Sequence, residues 1–104
     1  LMGESLAEES GELLLASDHL LMSAYPNPFN PTTSISLTLP QTAEVRLAVY
    51  NSLGRQVVDL HQGSLASGSH SFEVDGSNLA SGVYFVSAQI AGHADQVQKI
   101  VLMK

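Results

Sequence analysis

The sequence predicts an all-β fold: a small antiparallel immunoglobulin-like β-sandwich of about seven strands, preceded by a flexible N-terminal linker. Three observations lead there. After residue 32 the apolar residues recur with period 2, the mark of strands with one buried face. Clusters of Gly, Asn, Asp, Ser or Pro interrupt that alternation every 8 to 12 residues. No stretch in this part of the chain has the period of an amphipathic helix.

Size and composition agree with a packed domain. The chain has 104 residues, 44% of them hydrophobic, and no cysteine, so one core forms without disulfide staples. A sandwich of roughly 80 residues buries a modest core and gains moderate stability.

The first 24 residues stand apart. Glu4, Glu8, Glu9, Glu12 and Asp18 occur there without Lys or Arg, a net charge of −5, whereas residues 25 to 104 carry a net charge of −1. Leu6, Leu13, Leu14, Leu20 and Leu21 fit a helical stripe, and Ser5 with Glu8 resembles a capping box. Ser10 and Gly11 interrupt that stripe. The reading is an acidic linker over residues 1–19, leading from an upstream passenger, and then a domain of residues 20–104 whose first short strand runs through Leu20 to Ser23. The pattern begins in mid-course at Leu1, as expected of a piece of a longer protein. No apolar run reaches the roughly 20 residues that span a bilayer, and no basic region precedes the leucines.

Tyr25-Pro26-Asn27-Pro28-Phe29-Asn30-Pro31 follows, with three of the four prolines of the chain. Each proline fixes its own φ and pushes the preceding residue out of the helical region. A stiff, non-helical entrance to the domain results. Thr33, Ile35, Leu37 and Leu39 then share one strand face, with Ser34, Ser36 and Thr38 on the other, until Pro40 ends the strand.

Val45, Leu47 and Val49 point inward in the next strand, with Glu44, Arg46 and Ala48 outward. Asn51-Ser52-Leu53-Gly54 reads as a hairpin loop in which Gly54 takes the positive φ that closes a type I turn with a bulge. Val57, Val58 and Leu60 lie on the return strand, and Ala66-Ser67-Gly68 reverses the chain again. His70, Phe72 and Val74 alternate with Ser69, Ser71 and Glu73, which places Phe72 in the core and His70 partly buried. Asp75-Gly76-Ser77-Asn78 is a turn cluster. Val83 to Ile90 is apolar on both faces and so central. Ala91-Gly92-His93 turns into the last strand, Gln96 to Met103.

Several chemistries have no footing here. Four basic residues against ten acidic ones cannot neutralise a phosphate backbone. His19, His61, His70 and His93 fall on different elements without a zinc-ligand spacing, Asp75, Ser77 and Asn78 lack an EF-hand pattern, and the glycines stand singly at turns rather than in a phosphate loop. No nucleophile elbow occurs. The residues thus assign no catalytic, metal or cofactor site. A carbohydrate-binding sandwich attached to a secreted hydrolase would need coplanar exposed rings, and Tyr25, Tyr50 and Tyr84 are the candidates. A passive structural spacer is the other alternative.

The C-terminus carries Lys99-Ile100-Val101-Leu102-Met103-Lys104, a β-forming run bracketed by lysines. It reads either as a last strand guarded by lysine against edge pairing or as a strand displayed for β-augmentation.

Four segments in order, Tyr25 to Thr33, Val49-Tyr50-Asn51-Ser52-Leu53-Gly54-Arg55, Leu79-Ala80-Ser81-Gly82-Val83-Tyr84-Phe85 and Gln98 to Lys104, resemble the type A C-terminal sorting domain of the type IX (Por) secretion system. The resemblance covers about Leu20 to Lys104. It implies a non-enzymatic immunoglobulin-like domain that directs an upstream passenger through the periplasm and across the outer membrane, to the cell surface or the medium. The implied partners are the type IX translocon and a sortase-like surface protease, which would cut within residues 1–22 and anchor the passenger. Pro26, Asn27 and Pro28 match the proline motif of that family, Gly82 and Tyr84 its Gly-x-Tyr motif, and Lys99 and Lys104 its terminal lysine motif. Similar segments occur in immunoglobulin-like modules of flagellar hook-capping proteins, where the role is assembly.

Overall fold

The computed structural model describes residues 20–104. The expected acidic linker, its helical stripe, its capping box and His19 lie outside the described residues. Seven strands follow in order: β1 (Leu21–Tyr25), β2 (Thr32–Leu39), β3 (Ala43–Asn51), β4 (Gln56–Leu65), β5 (Gly68–Asp75), β6 (Gly82–Ile90) and β7 (Gln96–Leu102). They form a three-stranded sheet, β1-β2-β5, and a four-stranded sheet, β4-β3-β6-β7. All strand pairs are antiparallel. The first strand begins and ends slightly later than Leu20 to Ser23, because Tyr25 still pairs with Ser34.

A constant-type immunoglobulin domain places its fourth strand beside the fifth. Here β4 pairs with β3 instead, and the chain changes sheets at Ala66-Ser67. The Asn51 hairpin is what keeps β4 in the sheet of β3. Gly54 has φ 84°, its N–H donates to the Asn51 carbonyl at 3.0 Å, and the Asn51 side-chain oxygen accepts from the Leu53 and Arg55 N–H groups at 2.9 and 3.0 Å. A local side-chain acceptor of this kind fixes a tight turn without help from the neighbouring strands.

The alternation read along β2 holds in space: Thr33, Ile35, Leu37 and Leu39 are buried. They meet Val45, Leu47 and Val49 of β3, Val74 of β5, Val86, Ala88 and Ile90 of β6, and Ile100 and Leu102 of β7 in one core. Phe72 is only partly buried and packs against this cluster, beside the tilted ring of His61, with centroids 5.7 Å apart. His70 is half-buried, its Nε2 2.7 Å from the Ala66 carbonyl.

Ala48 departs from the expected outward position. It is 1% exposed. Its register partners are Asp59 on β4 and Ser87 on β6, so a lone methyl group lies between two flanking strands, next to a register shift at Leu47/Ala48. Strand β6 is interior to its sheet as expected, but only one face is in the core: Tyr84, Val86, Ala88 and Ile90 are buried while Val83 is exposed.

Candidate functional site

The sheet order leaves β7 with one neighbour, β6. Residues Gly82, Tyr84, Val86 and Ala88 stand opposite Leu102, Ile100, Gln98 and Gln96, and the peptide groups of Val97, Lys99, Val101 and Met103 face the other way. An open edge of this kind is a template for another strand.

Residues 26–31 connect β1 to β2 and cross to that edge. The Asn27 side chain donates from Nδ2 to the Lys99 carbonyl at 2.9 Å and accepts from the Val101 N–H on Oδ1 at 3.0 Å. The Phe29 N–H donates to the Val101 carbonyl at 2.9 Å, and the Met103 N–H donates to the Phe29 carbonyl at 2.9 Å. Phe29 thereby forms a parallel bridge with Leu102. Its ring is 2% exposed and belongs to the core. Burying a ring of that size contributes about 1.5–3 kcal/mol, which anchors the segment as the prolines limit its alternatives. The peptide bonds before Pro26, Pro28 and Pro31 are cis.

The segment is tied at its other side as well. The Thr33 hydroxyl, in a residue 2% exposed, donates to the Pro26 carbonyl at 2.7 Å. The Gly76 N–H donates to the Pro31 carbonyl at 2.7 Å. A Cβ on Gly76 would lie 2.9 Å from both that oxygen and Leu102 Cδ2. Only glycine lets the β5–β6 turn approach this closely.

The remaining motif residues converge on the same end. Gly82 opens β6 opposite Leu102 with φ 151°. Tyr84 is 7% exposed, and its hydroxyl donates to the Ala80 carbonyl at 2.6 Å, a corner tie between β6 and the turn before it. The Lys104 ammonium donates to the Ser77 carbonyl at 2.8 Å, and the Lys104 N–H donates to Ser81 Oγ at 3.1 Å. Asp75 Oδ1 accepts from the Ser77 hydroxyl and N–H at 2.5 and 2.9 Å. The Ser77 hydroxyl first, then its N–H, and least the Lys104 charge hold the Asp75 carboxyl below its ordinary 3.8.

Six of the seven motif residues therefore lie around the C-terminal half of β7. Lys99 is the exception on the exposed outer face of the sheet, opposite Phe85. The terminal strand is neither fully displayed nor fully enclosed. From the Lys99 carbonyl to the Met103 N–H the edge is occupied by the chain itself, and Lys104 is folded back along the surface onto Ser77. The sequence reading missed this clasp, and with it Phe29 as a core residue. An aromatic ring between two prolines was the available signal.

Tyr84 is also corrected as a candidate for a carbohydrate platform. Its ring is in the core, because it alternates with Val86, Ala88 and Ile90, while Tyr25 is 82% exposed on β1 and Tyr50 is half-buried on β3 of the opposite sheet. The three rings share no surface. Among the described residues no three His, Asp or Glu side chains gather as a metal site requires, and no helix is long and apolar enough to cross a membrane.

A family model described as a secretion system C-terminal sorting domain matches residues 23–103. A search of curated proteins finds no match.

Proposed function

Because this chain belongs to the type IX secretion system C-terminal sorting domain family, we propose that it directs an upstream passenger from the periplasm across the outer membrane, its folded clasped end being the part that the translocon reads. Membership alone carries a secretion-signal role and export to the cell surface or beyond, in a family that is not catalytic. Passenger identity, cleavage within residues 1–22 by a sortase-like surface protease, and anchoring are finer parts of the same proposal.

One observation supports the choice of surface. Pro26, Asn27, Pro28, Gly82, Tyr84 and Lys104 are more than 70 residues apart at their extremes, and yet they meet around one half-strand. As continuous peptide signals they have no common logic. As a folded epitope they do: the Asn27 and Lys104 bonds hold the end of β7 in place and the Tyr84 bond holds the turn beside it, so a receptor that binds this end binds only the completed sandwich. The structure also changes how the reading is tested. Ile100 and Leu102 are 0% and 1% exposed, so deleting residues 99 to 104 destroys the core along with any signal.

The informative variant is Lys99→Glu, which reverses an exposed charge at the border of the clasp and leaves the core alone. A passenger fused to this variant accumulates in the periplasm, while the isolated domain keeps its β-sheet circular dichroism and cooperative melting. Normal surface display of a folded Lys99→Glu, Lys104→Ala double variant would remove the basis for reading this end as the signal.

A further inference from the structure

The clasp stops short. Asn27 and Phe29 take the outward peptide groups from the Lys99 carbonyl to the Met103 N–H, whereas the outward groups before them, the Lys99 N–H and both groups of Val97, lie upstream of the clasp. Val97 is 64% exposed, and Asp95 and Lys99 are exposed beside it. We propose that this short half-edge is a self-association site, where a second copy of the chain pairs antiparallel about a two-fold axis through Val97 and joins the two four-stranded sheets into one.

The register follows from which groups face outward. Val97 opposite Val97 is a hydrogen-bonded pair in which each residue gives its N–H to the carbonyl of the other. One step further, the Lys99 N–H of each copy meets the Asp95 carbonyl of its partner. Residues opposite each other in such a ladder point to the same face, with Cβ atoms about 5.5 Å apart. Each Lys99 ammonium thus faces an Asp95 carboxylate, twice by symmetry.

Charge complementarity selects this occupant. A lysine in the middle of an edge ordinarily guards against pairing. Here the sequence Asp95-Gln96-Val97-Gln98-Lys99 is palindromic in character, acid and base equidistant from a valine, so the guard is cancelled only by an identical strand in this one register. A shift of the two-fold to Gln98 sets Val97 against Lys99 and loses both ion pairs. The ends fit too. The turn at Ala91-Gly92-His93 leads the partner back to β6 where the clasp of the first copy begins, so the paired length matches the part of the edge that carries no backbone pairing among the described residues. The inference does not depend on the export reading.

The test is sedimentation equilibrium of the 104-residue chain from micromolar to millimolar concentration, at low and high salt. The chain forms a weak dimer that salt loosens. Asp95→Lys and Lys99→Asp, each alone, raise the dissociation constant about tenfold or more by setting like charges opposite each other. Combining them restores dimerisation, because the swapped pairs are again complementary. An isotope-mixed sample of the unaltered chain shows contacts between copies at Val97, a readout that needs no variant to fold. A chain that stays monomeric at millimolar concentration, a dimer indifferent to the single charge reversals, or a double variant that remains monomeric overturns the proposal.

Discussion

Asn27 and Val101, 74 residues apart, are joined as neighbouring strands are: the Val101 N–H donates to Asn27 Oδ1 at 3.0 Å while Asn27 Nδ2 donates to the Lys99 carbonyl at 2.9 Å. One primary amide does the work of a peptide unit on an adjoining strand. Two such bonds on a solvated edge contribute about 1–2 kcal/mol together. Asn27→Ala should lower stability by that amount in urea unfolding and speed amide exchange at Val101. Asn27→Asp keeps the acceptor and loses the donor, so Val101 stays protected in that variant. Equal exposure of Val101 in both variants would mean that the amide does not close the edge.

Tyr84 ties β6 to the turn that precedes it. Its ring fills the core, and its hydroxyl reaches the Ala80 carbonyl at 2.6 Å. Tyr84→Phe keeps the ring and removes one partly buried hydrogen bond, which costs about 1 kcal/mol. For a domain of this size that lowers Tm by about 4–8 °C. Tyr84→Ala removes the ring as well and costs about 3–5 kcal/mol. Calorimetry of the two variants separates the tie from the packing, and a Phe variant as stable as the parent would show that the hydroxyl contributes nothing.

The two variants also mark what the sequence revealed. Period 2 located β2, β3 and β5, turn clusters at their ends located β4, β6 and β7, and Asn51 with Gly54 announced the β3–β4 hairpin, because alternation and turn chemistry are local properties. Strand β6 hid its orientation, since Val83 and Phe85 are as apolar as Tyr84 and Val86, and only neighbouring strands decide which set is inside. The change of sheet after β4 was hidden for the same reason. The clasp was least legible: Asn27 stands beside Lys99 and Val101 only through the packing of both sheets, and no spacing in the sequence encodes a contact across 74 residues.

Gly76 separates close approach from backbone freedom. A methyl group there meets Leu102 Cδ2 and the Pro31 oxygen at 2.9 Å, one of them main chain, so Gly76→Ala must push the turn off the clasp. Overpacking of this kind costs about 1–3 kcal/mol. Gly54→Ala meets nothing within 4 Å and is penalised only through its φ of 84°, by about 1 kcal/mol. The informative difference lies in amide exchange. Gly76→Ala exposes the Phe29 and Met103 amides, whereas Gly54→Ala destabilises the hairpin and leaves those two protected. The reverse pattern would place the turn outside the clasp.

Protonation of Asp75 loosens the turn onto which Lys104 closes. The Ser77 hydroxyl and N–H, and to a lesser extent the Lys104 charge, hold the carboxyl below 3.8 in the folded chain. A group whose folded value is depressed stabilises the fold above its unfolded value, and that contribution is lost as the pH falls through the lower, folded value. The turn is therefore intact above 3.8 and weakens in the acid range beneath it. Ser77→Ala should move the Asp75 titration, followed by carboxyl carbon NMR, upward toward 3.8, and Lys104→Ala should move it less, because the hydroxyl is the larger cause and the ammonium the smallest. Added salt should reproduce part of the Lys104→Ala effect and little of the Ser77→Ala effect, since screening acts on the distant charge and not on a 2.5 Å hydrogen bond. If Lys104→Ala produced the larger shift, the carboxylate would be set by the C-terminal charge rather than by the turn, and Asp75 would be a direct partner of the terminal lysine.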